Sequence, residues 1–415
     1  MDRLVIRNVT VIDCTGREPY VADVYIENGI IAEIGQGLME RRPSGGAMAS
    51  DMREIDGTGK YLIPGLVNLH VHINRRHLSR GTGAFRFGAP AVENSPDEER
   101  FHFALENAQY ELSRGVTAMR DCSSVGRTAS ALKQAIESGA VRGPRLTVCG
   151  LGIAAVGGHE THRYPGAIQT TGPEEVRQAV LQEIGLGAEF IKVMASGGIG
   201  GMPEHEHPYK VELGLEEIRA ACETAHRFGR TVTVHAMGEE PVMTSLLAGV
   251  DGIEHGAVLS EEALRIMRER NIYLVPTASG ITAVAAKEAR NGNTDLAGLI
   301  EKLVVRPQRE SIRKAHESGL LIGTGSDTLG SVPAELLILE DCGLSHYEAL
   351  QAATVNAARI LRNDDHFGTI ECGKTADLVL LSADPLADLR NIEAVERVFL
   401  GGEEVTEGWL QQGGK

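Results

Sequence analysis

The sequence predicts an α/β protein: a (β/α)8 TIM barrel over residues 63–363, with a small β-sandwich domain formed from the two ends of the chain, 1–62 and 364–415. Three observations carry that expectation. From residue 64 to about 360, short apolar runs alternate with helix-like stretches, the pattern of repeated strand–helix units. The two ends share a different, all-strand character. The length of 415 residues suits a barrel of roughly 250 residues plus an accessory domain.

Taken in order, residues 3–35 read as short strands. Residues 20–27 nearly alternate apolar and polar, Asn28-Gly29 is a tight-hairpin dipeptide, and 30–34 is the return strand. Residues 36–52, with Arg41-Arg42 among Gly, Pro, Ser and Met, read as a loop. Glu54-Ile55 and 60–63 then lead into the first barrel strand, 66–73. Further strands are expected at 116–121, 145–149, 190–194, 231–235, 252–255, 273–276 and 320–325. Helices are expected at 96–112, 173–187, 214–228, 260–270, 306–318 and 345–361. The second of these opens Pro173-Glu-Glu, as helix starts do. A doubly wound open sheet fits less well, because no glycine-rich phosphate loop follows the first strand. After 366 strands return at 373–381 and 395–400, with a turn at Gly401-Gly402.

Candidate chemistry sits where the barrel strands end. Pro64-Gly-Leu-Val-Asn-Leu-His-Val-His72 places His70 and His72 two residues apart, on one side of a strand. Alone, such a pair is more often incidental than a metal site. Lys192 lies in the fourth strand, however, His235 ends the fifth, His255 ends the sixth and Asp327 follows the eighth. Barrel chemistry gathers at the C-terminal ends of strands. Six candidates falling there together point to a metal site. Lys192 is the most informative, because burial in an apolar strand disfavours the ammonium and frees the amine to react. Reaction with carbon dioxide gives a carbamate, whose two oxygens can bridge two cations. The competing reading is a lysine paired with a carboxylate or reaching solvent.

With these residues in view, the chain resembles the amidohydrolase superfamily over nearly its whole length, including the split β domain and the Gly373-Lys-Thr-Ala-Asp-Leu-Val segment. Phe190-Ile-Lys-Val-Met-Ala-Ser-Gly-Gly198, Gly157-Gly-His159 and Ile253-Glu-His-Gly256 resemble its imidazolonepropionase-related branch. Characterised members of that branch are mostly prolidase-like and other metal-dependent dipeptidases. The resemblance implies that His70, His72 and Asp327 hold one metal and His235 and His255 a second. Carboxylated Lys192 and a hydroxide would bridge them. It implies Asp327 as the proton shuttle to a leaving nitrogen. His159, in the loop after strand 3, would stabilise the oxyanion. Zinc is the expected cation, with manganese, iron and cobalt open. The expected activity is hydrolysis of a carbon–nitrogen bond in a dipeptide or N-acyl amino acid, with a cyclic, hydantoin-like amide as the alternative. Deamination fits less well, since deaminases of the superfamily usually use one metal and no bridging lysine. A binding protein that kept only the fold would have lost ligands.

Other stretches are weighed against bland readings. Glu204-His-Glu-His207 reads as a solvated loop or lid. Arg75, Arg76, His77, Arg80 and Arg86 read as a solvated basic loop, with capture of a substrate carboxylate as the sharper reading. His162 and Tyr164 are placed to line a pocket. Prolidase-like relatives often carry a substrate-contacting tyrosine after strand 4. Gly214-Leu215-Glu216 stands there instead, with Tyr209 nearby.

Lys+Arg of 41 against Asp+Glu of 57 gives a net charge of −16, which argues against nucleic acid or an anionic membrane as partner and leaves a small-molecule substrate. The six cysteines form no C-x-x-C pair and read as buried free thiols of a reducing compartment. A cytoplasmic location and a homo-oligomer are expected.

Overall fold

The computed structural model describes residues 3–38, 52–75, 95–161 and 166–405. The chain divides into two compact units, one of Met1–Val67, Gln109–Ala118 and Ser345–Lys415, the other of Asn68–Ala108 and Met119–Leu344.

In the first unit Arg3–Val11 pairs antiparallel with Tyr20–Glu27, which turns back into Ile30–Gly35. The turn residues Asn28 and Gly29 have φ of 52° and 80°. This left-handed pair is what an Asn-Gly hairpin supplies at low cost. Tyr61–Pro64 runs parallel to Arg3–Val11 and antiparallel to Leu378–Leu381, with Ile63 opposite Val379. Strands from both ends of the chain therefore enter one eight-stranded sheet. The first strand bonds to Met52–Asp56 over one half and to Tyr61–Pro64 over the other; the sheet continues through Tyr61–Pro64, while Met52–Asp56 branches off and pairs with the first strand alone. Ile6, Val24, Ile26, Leu62, Leu378 and Phe399 pack together as its buried core. The stretch expected as one helix over 345–361 is two, His346–Ala352 and Val355–Ile360, broken where Thr354 takes φ −132° and ψ −98°.

The second unit is α/β. Gly152–Ala155, Phe190–Met194, Thr231–Ala236, Gly252–His255 and Tyr273–Val275 pair in parallel in chain order. Every residue of Phe190–Met194 is buried, as a parallel strand covered on both faces requires. Leu66–Val71, Val116–Asp121 and Arg145–Val148 form a further three-stranded sheet. Glu189 N donates to Val148 O at 2.9 Å, which joins the two sets. On the other side Leu274 N donates to Leu321 O at 3.0 Å, Leu69 N to Thr324 O at 2.8 Å and Asp327 N to His70 O at 2.7 Å. The eighth expected strand is thus present only as bridges, Leu274 with Ile322 and Val71 with Asp327. The third expected strand, 145–149, is present as Arg145–Val148, and a further strand that the sequence does not announce, Gly152–Ala155, follows after Gly150, whose φ is 72°.

Among the described residues five helices stand where the sequence predicts none, Ala278–Arg290 and Thr294–Ile300 among them. Arg306–Glu317 is preceded by a π-helical turn, Glu301–Val305. All six cysteines are free; five are buried and Cys372 is exposed, against the expectation that all are buried. Among the described residues no helix is long and apolar enough to cross a membrane.

Candidate metal centre

A cavity of about 1160 Å³ is lined at once by His70, His72, His159, Lys192, His235, His255 and Asp327. The seven residues singled out in the sequence are therefore brought together. Ligand atoms of His70, His72 and Asp327 lie within 4.8 Å of one another, with His72 Nε2 3.5 Å from Asp327 Oδ1. The His70 ring is 5.0 Å from that of His255, and His255 is 4.5 Å from His235. Lys192 is 1% exposed, and among the described residues its ammonium makes no hydrogen bond or ion pair. Among the described residues no carboxylate holds it in an ion pair, and at this burial it does not reach solvent.

The surroundings decide which imidazole nitrogens are available. His70 Nδ1 donates to Glu254 Oε2 at 2.7 Å, and His72 Nδ1 donates to Ser123 O at 2.5 Å. Both bonds place a proton on Nδ1. Against its burial, Cys122 and Glu254 raise His70 to about 9, so a metal at its Nε2 would have to displace a proton, whereas burial and the Arg75 charge hold His72 well below the usual range and leave its Nε2 with a lone pair. His255 Nδ1 is taken up by the Thr277 hydroxyl at 2.6 Å. His235 is reversed: its Nε2 lies 3.2 Å from Gly197 O, which leaves Nδ1. Burial, reinforced by neighbouring cationic groups, holds His235 and His255 well below the usual imidazole range, so both are neutral, the form that ligates a metal. Ser123, His255, Thr277 and Asp327 all have positive φ, between 54° and 90°. Strain of this kind in non-glycine residues is typical of strand ends that aim side chains into a site.

Behind His70 lies a network that sequence reasoning missed. Glu254 also accepts from Arg120 Nη2 at 2.5 Å and from the Thr233 hydroxyl, while Arg120 Nη1 donates to the Tyr273 hydroxyl at 2.9 Å and Nε to Leu69 O at 2.6 Å. Arg120 and Glu254 are both fully buried. Glu254 could join His70 and Cys122 as a second group of possible ligands, but its oxygens are committed to Arg120, Thr233 and His70. Burial alone would raise the Glu254 carboxyl; the Arg120 charge and the His70 bond outweigh it and take it from 4.5 down to about 2. Arg120→Leu leaves that carboxylate buried without its cation, and is expected to cost roughly 3–5 kcal/mol of stability. Because the folded value is depressed, the pairing contributes fully above pH 4.5 and is lost as pH falls towards 2. Thermal unfolding of the two proteins should therefore differ most near pH 7 and converge in acid.

His159 stacks on His235 with ring centroids 4.1 Å apart. Its Nδ1 lies 3.3 Å from Glu206 Oε1, an ion-pair contact without hydrogen-bond alignment, and its Nε2 lies 3.5 Å from Glu160 Oε1. Burial opposes the imidazolium, but the Glu206 and Glu160 carboxylates outweigh it and raise His159 above the usual range. A Cβ on Gly198 would fall 2.2 Å from His159 Cε1, so only glycine permits this approach. Glu206 belongs to the loop read as solvated or as a lid; it is buried, and Glu204 and Glu206 both line the cavity. Burial is outweighed at Glu206 by His159 and by the N–H groups of Gly201 and Gly198, which take its carboxyl down to about 2.

Of the basic loop, Arg75 lines the cavity and is buried, with its guanidinium on Glu160 and, at 3.1 Å, on the Thr328 hydroxyl. Arg76, His77, Arg80 and Arg86, like His162, Tyr164 and Arg41-Arg42, lie outside the described residues. Tyr209 is not among the residues lining the cavity; its hydroxyl donates to Leu303 O on the π-helical turn.

Residues 61–405 match the amidohydrolase family. Ochratoxinase from Aspergillus niger is 30% identical over 327 residues, 70% of this chain and 66% of its own length, so the chain spans just under two thirds of that relative. Imidazolonepropionase from Symbiobacterium thermophilum is 28% identical over 369 residues, 80% of this chain and 77% of its own. Among solved structures, an Xaa-Pro dipeptidase with methionine bound in its active site is 27% identical, with a TM-score of 0.83 covering 97% of this chain and 100% of that one.

Proposed function

The chain belongs to the amidohydrolase family, and from that premise we propose that it is a binuclear metal-dependent hydrolase cleaving the amide bond of a dipeptide or an N-acyl amino acid. We read residues 63–363 as a closed (β/α)8 barrel and 1–62 with 364–415 as a composite β-sandwich domain. The return of the parallel ladder from Thr324 to Leu69, and the sheet shared by the two ends, support that reading.

The residues lining the cavity fit two divalent cations by their donor set. The Nε2 atoms of His70 and His72 with Asp327 would hold one, and Nδ1 of His235 with Nε2 of His255 the other. Lys192, partnerless among the described residues, fits as the bridge once its nitrogen has bonded to the carbon of CO2 and given up a proton, leaving an anionic carbamate. The cations, zinc by the preference of imidazole and carboxylate ligands, would supply Lewis acidity and a water acidic enough to attack near neutral pH. Burial works against ionised Asp327, but the Arg75 charge and the Thr328 hydroxyl favour the carboxylate, which would take the attacking water's proton and pass it to the leaving nitrogen. His159, whose imidazolium form the Glu206 and Glu160 carboxylates favour, would donate to the oxygen on which negative charge develops.

The observation that carries this reading is the convergence of Lys192, four histidines and Asp327 on one cavity. A linear amide is favoured by the neighbouring dipeptidase, whose site holds an amino acid. The test is a screen of zinc-loaded protein against dipeptides, N-acyl amino acids and hydantoins. Release of a free amino acid is the expected result. Ring opening without release would favour the cyclic amide, and no hydrolysis of any member would refute the proposal.

A further inference from the structure

The cavity has two unlike walls. One carries His159, Glu160, Glu206 and Arg75. The other is apolar: Ile281 and Val284 from helix Ala278–Arg290, Leu296 and Leu299 from helix Thr294–Ile300, and Ile199 and Met202 from the loop after Phe190–Met194. These six belong to a single hydrophobic cluster, in which Ile199, Val284, Leu296 and Leu299 are only partly buried. All four line the cavity. Residues 281, 284, 288 and 291 all line the cavity, so one face of the helix runs along it, apolar near the metal ligands and polar towards its far end.

The apolar wall begins at the proton shuttle. A Cβ on Gly280 would lie 2.8 Å from Asp327 Cβ, and Ile281 is the next residue. The leaving nitrogen has to come within reach of the Asp327 carboxylate to be protonated. A substituent on that nitrogen therefore meets Ile281 and Val284, while the acyl half lies across the scissile bond from them. We infer that the leaving group is an amino acid with a bulky apolar side chain, of the leucine, methionine or phenylalanine class, seated on this wall. The inference rests on the amide-hydrolase reading above.

Two substrate series separate the possibilities in the zinc-loaded protein. One keeps an acetyl group and varies the amino acid through alanine, valine, leucine and phenylalanine. The other keeps alanine and lengthens the acyl chain from acetyl to hexanoyl. Along the first series kcat/KM is expected to rise by roughly fourfold per buried methylene, and along the second to stay flat. Val284→Thr, close to isosteric, and Leu299→Ala should each shrink the phenylalanine-to-alanine ratio, and calorimetric affinities for the free amino acids should follow the same order. A dependence on the acyl chain alone, no dependence in either series, or an undiminished ratio in both variants overturns the inference. Hydrolysis of no member, with the apolar amino acids still bound in the expected order, instead condemns the amide reading and leaves the apolar subsite standing. Neither hydrolysis nor ordered binding removes both.

Discussion

Lys192→Ala is expected to lose turnover by orders of magnitude and to lose bound metal with it. Lys192 sits mid-strand in Phe190–Met194, 1% exposed, beside His235 and His255 in the cavity wall and with no carboxylate partner among the described residues. A side chain buried there with no hydrogen-bond or ion-pair partner among the described residues leaves the bonding capacity of its nitrogen unsatisfied. A carbamate turns the same atom position into an anion with two donor oxygens and relieves it. Alanine would remove the proposed bridge and leave a void in the cavity wall beside His235 and His255. Short carboxylic acids such as formate and acetate can enter that void and present two oxygens at nearly the same place. Partial recovery of turnover with added acetate is therefore the specific expectation. It is read from steady-state rates together with elemental analysis of the variant. A variant with full activity and full metal content would exclude the bridging role.

Asp327→Asn is expected to keep much of the metal and lose the rate, by roughly 10²–10⁴-fold if the carboxylate moves the proton. The substitution is isosteric. Asp327 is anchored through its own N–H to His70 O at 2.7 Å and accepts from the Thr328 hydroxyl at 2.9 Å, and asparagine can keep both bonds. What it cannot do is carry the water's proton to the leaving nitrogen. Metal analysis and turnover measured on one preparation separate the two roles, and an unimpaired rate would remove Asp327 as the shuttle.

The strand ends were legible because one piece of geometry writes both signals. A parallel strand buried on both faces needs an unbroken apolar run, and the residue at its C-terminal end is delivered to the rim. Phe190–Met194 and Gly252–His255 read correctly for that reason, and His70 with His72 follows from the two-residue repeat of a strand. Helices with local caps were equally readable: Ser260 accepts from Ala263 N at 3.3 Å, and the 261–270 helix was expected. Helix Ala278–Arg290 was not. It starts at Thr277 in a left-handed conformation with no side-chain cap, and its first N–H groups go to Glu335, whose oxygens lie 3.0 Å from Ala278 N and 2.6 Å from Ser279 N. A cap supplied from 57 residues away leaves no local trace. The support behind the ligands was hidden in the same way. Glu254 is next to His255 in sequence, but its task depends on Arg120, 134 positions earlier. Glu206 looked solvated in its charged loop because nothing nearby announces His159 as the partner that buries it.

Every step above requires the chain to gather two cations around Lys192. The most direct test is elemental analysis of protein expressed with zinc and bicarbonate and freed of loosely bound ions. About two equivalents of divalent transition metal per chain are predicted, by the ligand count of the two sites. A preparation that folds and binds none would contradict the account.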